Sequence, residues 1–143
     1  MSAERFVLDA SVALEWFLPG LPDSRAYAAA VLMRIEQRDL VPAVPDFWHY
    51  EVGSALLVAK RSGRIGAVKL NGAKARLAAL QLETLAVQLT APEVIEAGLR
   101  YYLQGYDAVY FELARRLNVA IASLDGGIRT ACKVHKVKFL QTA

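Results

Sequence analysis

Three short apolar blocks set the limits on this chain: Arg5 to Leu8, Leu40 to Val44 and Val119 to Ser123. Each is of strand length and bounded by charged or turn-forming residues, so each reads as a buried strand. The segments between them carry helical spacing and helix stop signals. Ser11 to Leu18 predicts a short helix ending at Pro19-Gly20, and Asp23 an N-cap for a helix to about Arg38. Asp46 opens a helix to about Arg61, broken at Ser62-Gly63, and another covers Ala67 to Leu80. Thr84 to Leu89 alternates like a strand, and Thr90 with Glu93 has the spacing of a capping box for a helix to about Tyr102. Asp107 opens a helix to Leu117, Ile128 to His135 is a further helix, and Val137 to Leu140 a last strand. Strands separated by helices require crossovers. The expectation is therefore one α/β domain over residues 1–143, a three-layer sandwich with a mainly parallel five-stranded sheet and helices on both faces.

Composition narrows the class. Apolar residues make up 55% of the 143 and charged ones 22%, enough for a core and too apolar for disorder. The stretch from Phe6 to Leu18 contains Asp9 and Glu15, which excludes a membrane span there. With no basic run before it, it also argues against a secretory signal. The single cysteine, Cys132, rules out an internal disulfide and suits a reducing cytosol. Only His49 and His135 accompany it, so zinc sites built on several cysteines are excluded. The chain thus reads as a cytoplasmic protein with no membrane partner. Its net charge of +3 is unevenly spread. No acid falls between Val52 and Leu82, where Lys60, Arg61, Arg64, Lys69, Lys74 and Arg76 lie, and none follows Asp125. Such stretches suit a polyanion, because each neutralised phosphate releases counterions; they equally describe solvated helix faces.

The acids carry more information. Most are explained by caps, turns or solvated faces, Glu112 among them. Four are not. Asp9 closes the run Phe6-Val7-Leu8, and Asp125 directly follows the strand at Val119 to Leu124. Glu51 lies mid-helix with Phe47, Trp48, Ala55 and Val58 at helical spacing, which turns it inward. Asp107 begins a helix whose next turn carries Tyr110 and Phe111. Asp9, Asp107 and Asp125 each allow an N-cap role, and Asp125-Gly126 also allows a hairpin turn. Glu51 is harder to explain this way, because a buried lone carboxylate costs several kcal/mol. Groups at the carboxyl ends of parallel strands share one crevice, so the four can converge. Converging carboxylates need a cation, and an oxygen-only set favours Mg²⁺ or Mn²⁺. Ions so held are suited to phosphodiester cleavage.

These residues resemble a known family. Val7-Leu8-Asp9-Ala10-Ser11-Val12-Ala13-Leu14-Glu15-Trp16-Phe17 looks like the first motif of PIN-domain nucleases, particularly VapC-type toxins. Pro45-Asp46-Phe47-Trp48-His49-Tyr50-Glu51-Val52 resembles the second, Tyr106-Asp107-Ala108-Val109-Tyr110 the third, and Ser123-Leu124-Asp125 the fourth. The motifs occur in order over nearly the whole chain. The resemblance implies a 3-2-1-4-5 parallel sheet and metal-dependent endoribonuclease activity on an RNA substrate. It also implies a homodimer and a cognate antitoxin. Carried over, Asp9, Glu51, Asp107 and Asp125 are the catalytic, metal-holding acids, with Mg²⁺ or Mn²⁺ as cofactor. Ser11 and Ser123 match supporting hydroxyls, and Lys60, Arg61 and Arg64 are candidates for holding the RNA backbone. Serine at 123 replaces the commoner threonine, and Gly126-Gly127 replaces a more usual charged pair, an exchange expected to loosen the rim of the site.

Rival chemistries fare less well. A receiver-like phosphorylation switch needs an acidic pair after the first strand and an acceptor aspartate after the third, where Asp9 stands alone and Thr90 stands instead. A haloacid-dehalogenase-type phosphatase needs a second aspartate where Ser11 sits. A catalytically silent PIN-like module that binds nucleic acid or protein is the alternative from another class.

Overall fold

The strand at Glu4–Leu8 (β1) buries Phe6, Val7 and Leu8 completely. Successive side chains of a strand point to opposite faces, so both faces of the sheet are covered. This is seen in the computed structural model, which describes residues 2–142. After β1 come α1 (Ala10–Phe17), α2 (Pro22–Glu36), β2 (Leu40–Pro45), α3 (Phe47–Arg61) and α4 (Ala67–Ala79). The chain continues through β3 (Glu83–Leu85), α5 (Ala91–Tyr101), α6 (Gly105–Leu117), β4 (Ala120–Ala122) and α7 (Gly126–His135). Strand order is β3-β2-β1-β4, and every neighbouring pair is parallel. Phe6 lies opposite Pro42 on one side and Ala120 on the other. Helix α6 packs on β1, β2 and β4, while α2 packs on β2 and α1 bridges α2 and α3. The α/β class expected from the sequence is therefore present.

The expected fifth strand is not. The sheet has four strands, and Val137 to Leu140 contributes a single bridge, Ile121 to Phe139. The reason is the length of β4: three residues leave room for one ladder step, made by Ile121 N–H to Lys138 O (3.0 Å) and Leu140 N–H to Ile121 O (2.8 Å). Side chains hold this tail instead. Tyr27 donates its hydroxyl to Leu140 O at 2.9 Å and stacks on Phe139, with the Arg129 guanidinium 4.3 Å from that ring's centroid.

Two other expectations shift for local reasons. The strand expected over Thr84 to Leu89 ends at Leu85, opposite Pro45. There β2 stops, because Asp46 caps α3 through Phe47 N–H and leaves nothing further to pair with. Asp23 is not an N-cap; Leu21 holds that position, Pro22 begins the helix and Asp23 sits in its first turn. The capping box of α5 is formed, with Glu93 N–H donating to Thr90 Oγ1 and Thr90 N–H to Glu93 Oε1. No helix among the described residues is long and apolar enough to cross a membrane.

Candidate functional site

The carboxyl ends of β1 and β4 are tied together at Asp9. Its N–H donates to Ala122 O at 3.0 Å, which carries the ladder one residue past the strand. Its carboxylate, 4% exposed, accepts from Ser11 Oγ at 2.6 Å and Ser123 Oγ at 2.7 Å, both on Oδ2. Oδ1 takes part in neither bond. The two hydroxyls also work in the other direction, Ser11 Oγ accepting from Leu124 N–H and Ser123 Oγ from Asp125 N–H, each at 3.0 Å. Two serines thus fix both the orientation of Asp9 and the path of the chain from β4 into α7. Burial pushes the Asp9 carboxyl above its usual range; the serine bonds oppose this and the Asp125 charge adds to it.

Asp125 is the N-cap of α7, accepting from Ile128 N–H at 2.9 Å. A Cβ at position 127 would lie 2.9 Å from Asp125 Oδ2 and 3.3 Å from Leu103 Cδ2. Gly127 therefore gives the carboxylate room to fold back over its own helix, a close approach rather than the loosened rim expected from the sequence. A side chain at Gly126 would meet open space.

Asp107 is not a cap. Gln104 precedes α6, and Asp107 is in the first turn, its N–H donating to Gln104 O. Its carboxyl is pushed up to about 6, first by burial and then by the charges of Asp9, Asp125 and Glu51, with no donor or cation pulling the other way. Glu51 is half-buried on α3 and accepts from the Tyr110 hydroxyl at 2.6 Å. Burial raises it, Tyr110 opposes, and Asp9 adds repulsion. The buried face of α3 is Trp48, Val52, Leu56 and Ala59, whereas Val58 is 62% exposed. Glu51 thus lies at the margin of the core rather than on the apolar face the spacing implied.

Asp107 is therefore within electrostatic reach of Asp9, Asp125 and Glu51, and Asp9 also of Asp125 and Glu51. None of the ion pairs among the described residues includes any of them. They are not gathered into a finished cage: no group of three or more acidic, histidine or cysteine side chains among the described residues is arranged to hold a metal ion. Glu51 is turned to Tyr110 and Asp125 to Ile128. The donor chemistry, carboxylate and hydroxyl oxygen without thiolate or imidazole, suits a hard divalent cation. His49 lies apart, its Nε2 3.0 Å from Thr84 Oγ1. Cys132 is buried and its thiol pushed up to about 11 by that burial, as for a core residue.

Glu112, expected on a solvated face, is buried instead. It is 5% exposed, held by Tyr101, Arg115 and Arg116 where α5 meets α6. The signal was present, since the arginines stand three and four residues on, at the spacing of helical neighbours. The hydroxyl of Tyr110 was also missed as the partner of Glu51, because nothing local links residues in different helices.

No known family profile matches the chain, and no curated protein matches it. Solved structures do. The crystal structure of PAE2754 from Pyrobaculum aerophilum superposes with a TM-score of 0.65 at 22% identity, over 90% of this chain and 79% of that one. A domain of a functionally unknown protein from Methanocaldococcus jannaschii DSM 2661 superposes with a TM-score of 0.51 at 14% identity, over 99% of this chain and 94% of that one. At these identities the likeness is one of fold.

Proposed function

We propose that this chain is a metal-dependent endoribonuclease hydrolysing RNA phosphodiester bonds, the toxin of a VapBC-type toxin–antitoxin pair. One observation carries the reading: Asp107 feels the charges of Asp9, Asp125 and Glu51, no ion pair among the described residues includes any of the four, and burial first, with repulsion between them adding, raises Asp9, Glu51 and Asp107. Asp9, Glu51, Asp107 and Asp125 would hold Mg²⁺ or Mn²⁺, which when bound supplies an activated water and stabilises the leaving oxygen. Ser11 and Ser123 keep Asp9 in one orientation, and Tyr110 does the same for Glu51. Lys60, Arg61 and Arg64 are exposed and belong to none of the ion pairs among the described residues. Lys60 and Arg61 lie roughly 14 Å or more along α3 from Glu51, at 1.5 Å per residue, and Arg64 follows the end of that helix; all three would contact backbone phosphates away from the reacting bond. The antitoxin and the homodimer belong to the family resemblance and stand or fall with it.

A second reading, a catalytically silent module that binds nucleic acid or protein, draws on the same edge. Glu51 and Asp125 are turned to donors of the protein, and no metal-holding group is formed among the described residues. One experiment separates the two. Purified protein and Asp9→Asn are incubated with RNA in Mn²⁺ or Mg²⁺ and again in excess EDTA. The substitution should lower cleavage roughly a hundredfold or more, the equivalent of about 3 kcal/mol of lost transition-state stabilisation. Cleavage that survives EDTA or Asp9→Asn would remove the metal mechanism, and its absence under all conditions would favour the silent module.

A further inference from the structure

We propose that the exposed face of Tyr106 is a stacking platform for one unpaired nucleobase, so that the nucleic acid must be single-stranded where it crosses the acidic edge. The identity of the ligand rests on the nuclease reading above, whereas the platform itself requires no catalysis. Tyr106 immediately precedes Asp107 in the first turn of α6 and is 55% exposed. Its ring stacks on Phe47, with centroids 4.4 Å apart and planes 26° from parallel. Phe47 in turn meets the Tyr110 ring edge-on at 5.1 Å, and the Tyr110 hydroxyl donates to Glu51. A continuous row of three rings therefore runs from a carboxylate of the site out to solvent. Tyr50 and Tyr102 are more exposed, at 75% and 94%, but neither has an aromatic ring beneath it among the described residues.

The electrostatics give this row its meaning. Four carboxylates repel phosphate, so a nucleic acid held beside them needs a contact there through an uncharged part of the nucleotide. An aromatic face provides it, because every base has a π face and stacking tolerates any sequence. Phe47 fixes the orientation of Tyr106 in advance, which lowers the entropy lost when a base settles on it. A paired base is already stacked within its duplex and has no face to offer, so recognition falls to unpaired segments.

The test uses a single-stranded oligoribonucleotide with 2-aminopurine placed at successive positions, bound in EDTA at low salt so that no cleavage intervenes. The parent should quench the probe at one position, and the same strand annealed to its complement should show no such quench on binding. Tyr106→Leu keeps an apolar contact with Phe47 but loses the π face; it should lose the quench and bind roughly 5- to 150-fold more weakly. Tyr106→Trp should quench and bind more tightly than the leucine variant, a result that misfolding cannot produce. Parent-like affinity and quench in Tyr106→Leu would overturn the platform, as would a parent that fails to bind or to quench the probe. Metal-dependent cleavage with binding indifferent to position 106 would remove the platform and leave the nuclease reading. Tyr106-dependent quenching without cleavage in any metal would do the reverse.

Discussion

Glu112 and Asp9 are almost equally buried, at 5% and 4% exposed, yet their surroundings are opposite. Glu112 accepts from Arg115 Nε at 2.9 Å and Nη2 at 2.7 Å, from Arg116 Nε at 2.8 Å and from the Tyr101 hydroxyl at 2.6 Å. The Arg115 bonds, foremost among these, bring its carboxyl down to about 2. Asp9 has only hydroxyls for side-chain partners and other carboxylates for neighbours, and burial drives it upward. Burial alone therefore does not set the state of an acid. The distinction lies in whether the counter-charge is built into the chain. At the α5–α6 contact the negative charge is neutralised internally, and at the sheet edge no ion pair among the described residues neutralises it.

The comparison is broken most directly by removing charge from each region and reading stability in EDTA. Glu112→Gln should lower stability by about 2 kcal/mol, allowing for the half-exposure of both arginines. Because its carboxyl is depressed, the contribution of Glu112 is fully present above about 4.5 and is lost as pH falls towards about 2. Acid-titrated melting should show that loss in the parent and a reduced one in the variant; equal acid limbs would mean the arginine cluster is inert.

Asp107→Asn should act with the opposite sign and a smaller size. A carboxyl raised from 3.8 to about 6 binds its proton more tightly in the folded chain, so stability falls as pH rises through that interval. The variant should be more stable than the parent at neutral pH by about 1 kcal/mol, the shift being discounted for the open edge. Its melting temperature should also vary less between pH 4 and 6, taken as rough bounds from the same linkage. Mn²⁺ should stabilise the parent by roughly 2.7 kcal/mol at a hundredfold excess over its dissociation constant, and the variant by less. A variant less stable without metal, and a parent unmoved by Mn²⁺, would make these acids structural after all. The smallest effect belongs to Ser123→Ala, which removes one donor from Asp9 and one acceptor from Asp125 N–H. It should cost about 1 kcal/mol and move to higher pH the interval over which stability falls as Asp9 ionises, because Asp9 loses a bond that holds its carboxyl down. Unchanged melting at every pH would show that the hydroxyl does not set the state of Asp9.

What could be read in advance follows the range of the forces involved. The α5 capping box is a reciprocal pair of bonds within one turn, so Thr90 and Glu93 announced it. Asp9 and Asp125 were legible because an acid that ends a buried strand stands out against its apolar neighbours. The fifth strand was misjudged because its pairing depends on how many residues β4 offers, a property of a different segment. Glu51 was found although its apolar neighbours were partly misassigned, Val58 facing solvent. The donor that holds it, Tyr110, lies on another helix 59 residues away. That Asp107 lies within electrostatic reach of Asp9, Asp125 and Glu51 follows from parallel topology, whereas the turning of Glu51 and Asp125 towards protein donors is a matter of tertiary contacts.

The bond from Ser123 to Asp9 joins residues 114 apart in the chain, and β1 lies between β2 and β4. All-parallel pairing of this kind is non-local, and such pairings form late and slowly. As the protein is made, Asp9, Glu51 and Asp107 leave the ribosome well before the strand that seats the first of them. A nascent or truncated chain lacking β4 thus has three of the four acids but neither Ser123 nor the capped helix behind it. The surroundings of Asp9 are therefore complete only once β4 and α7 have joined the sheet.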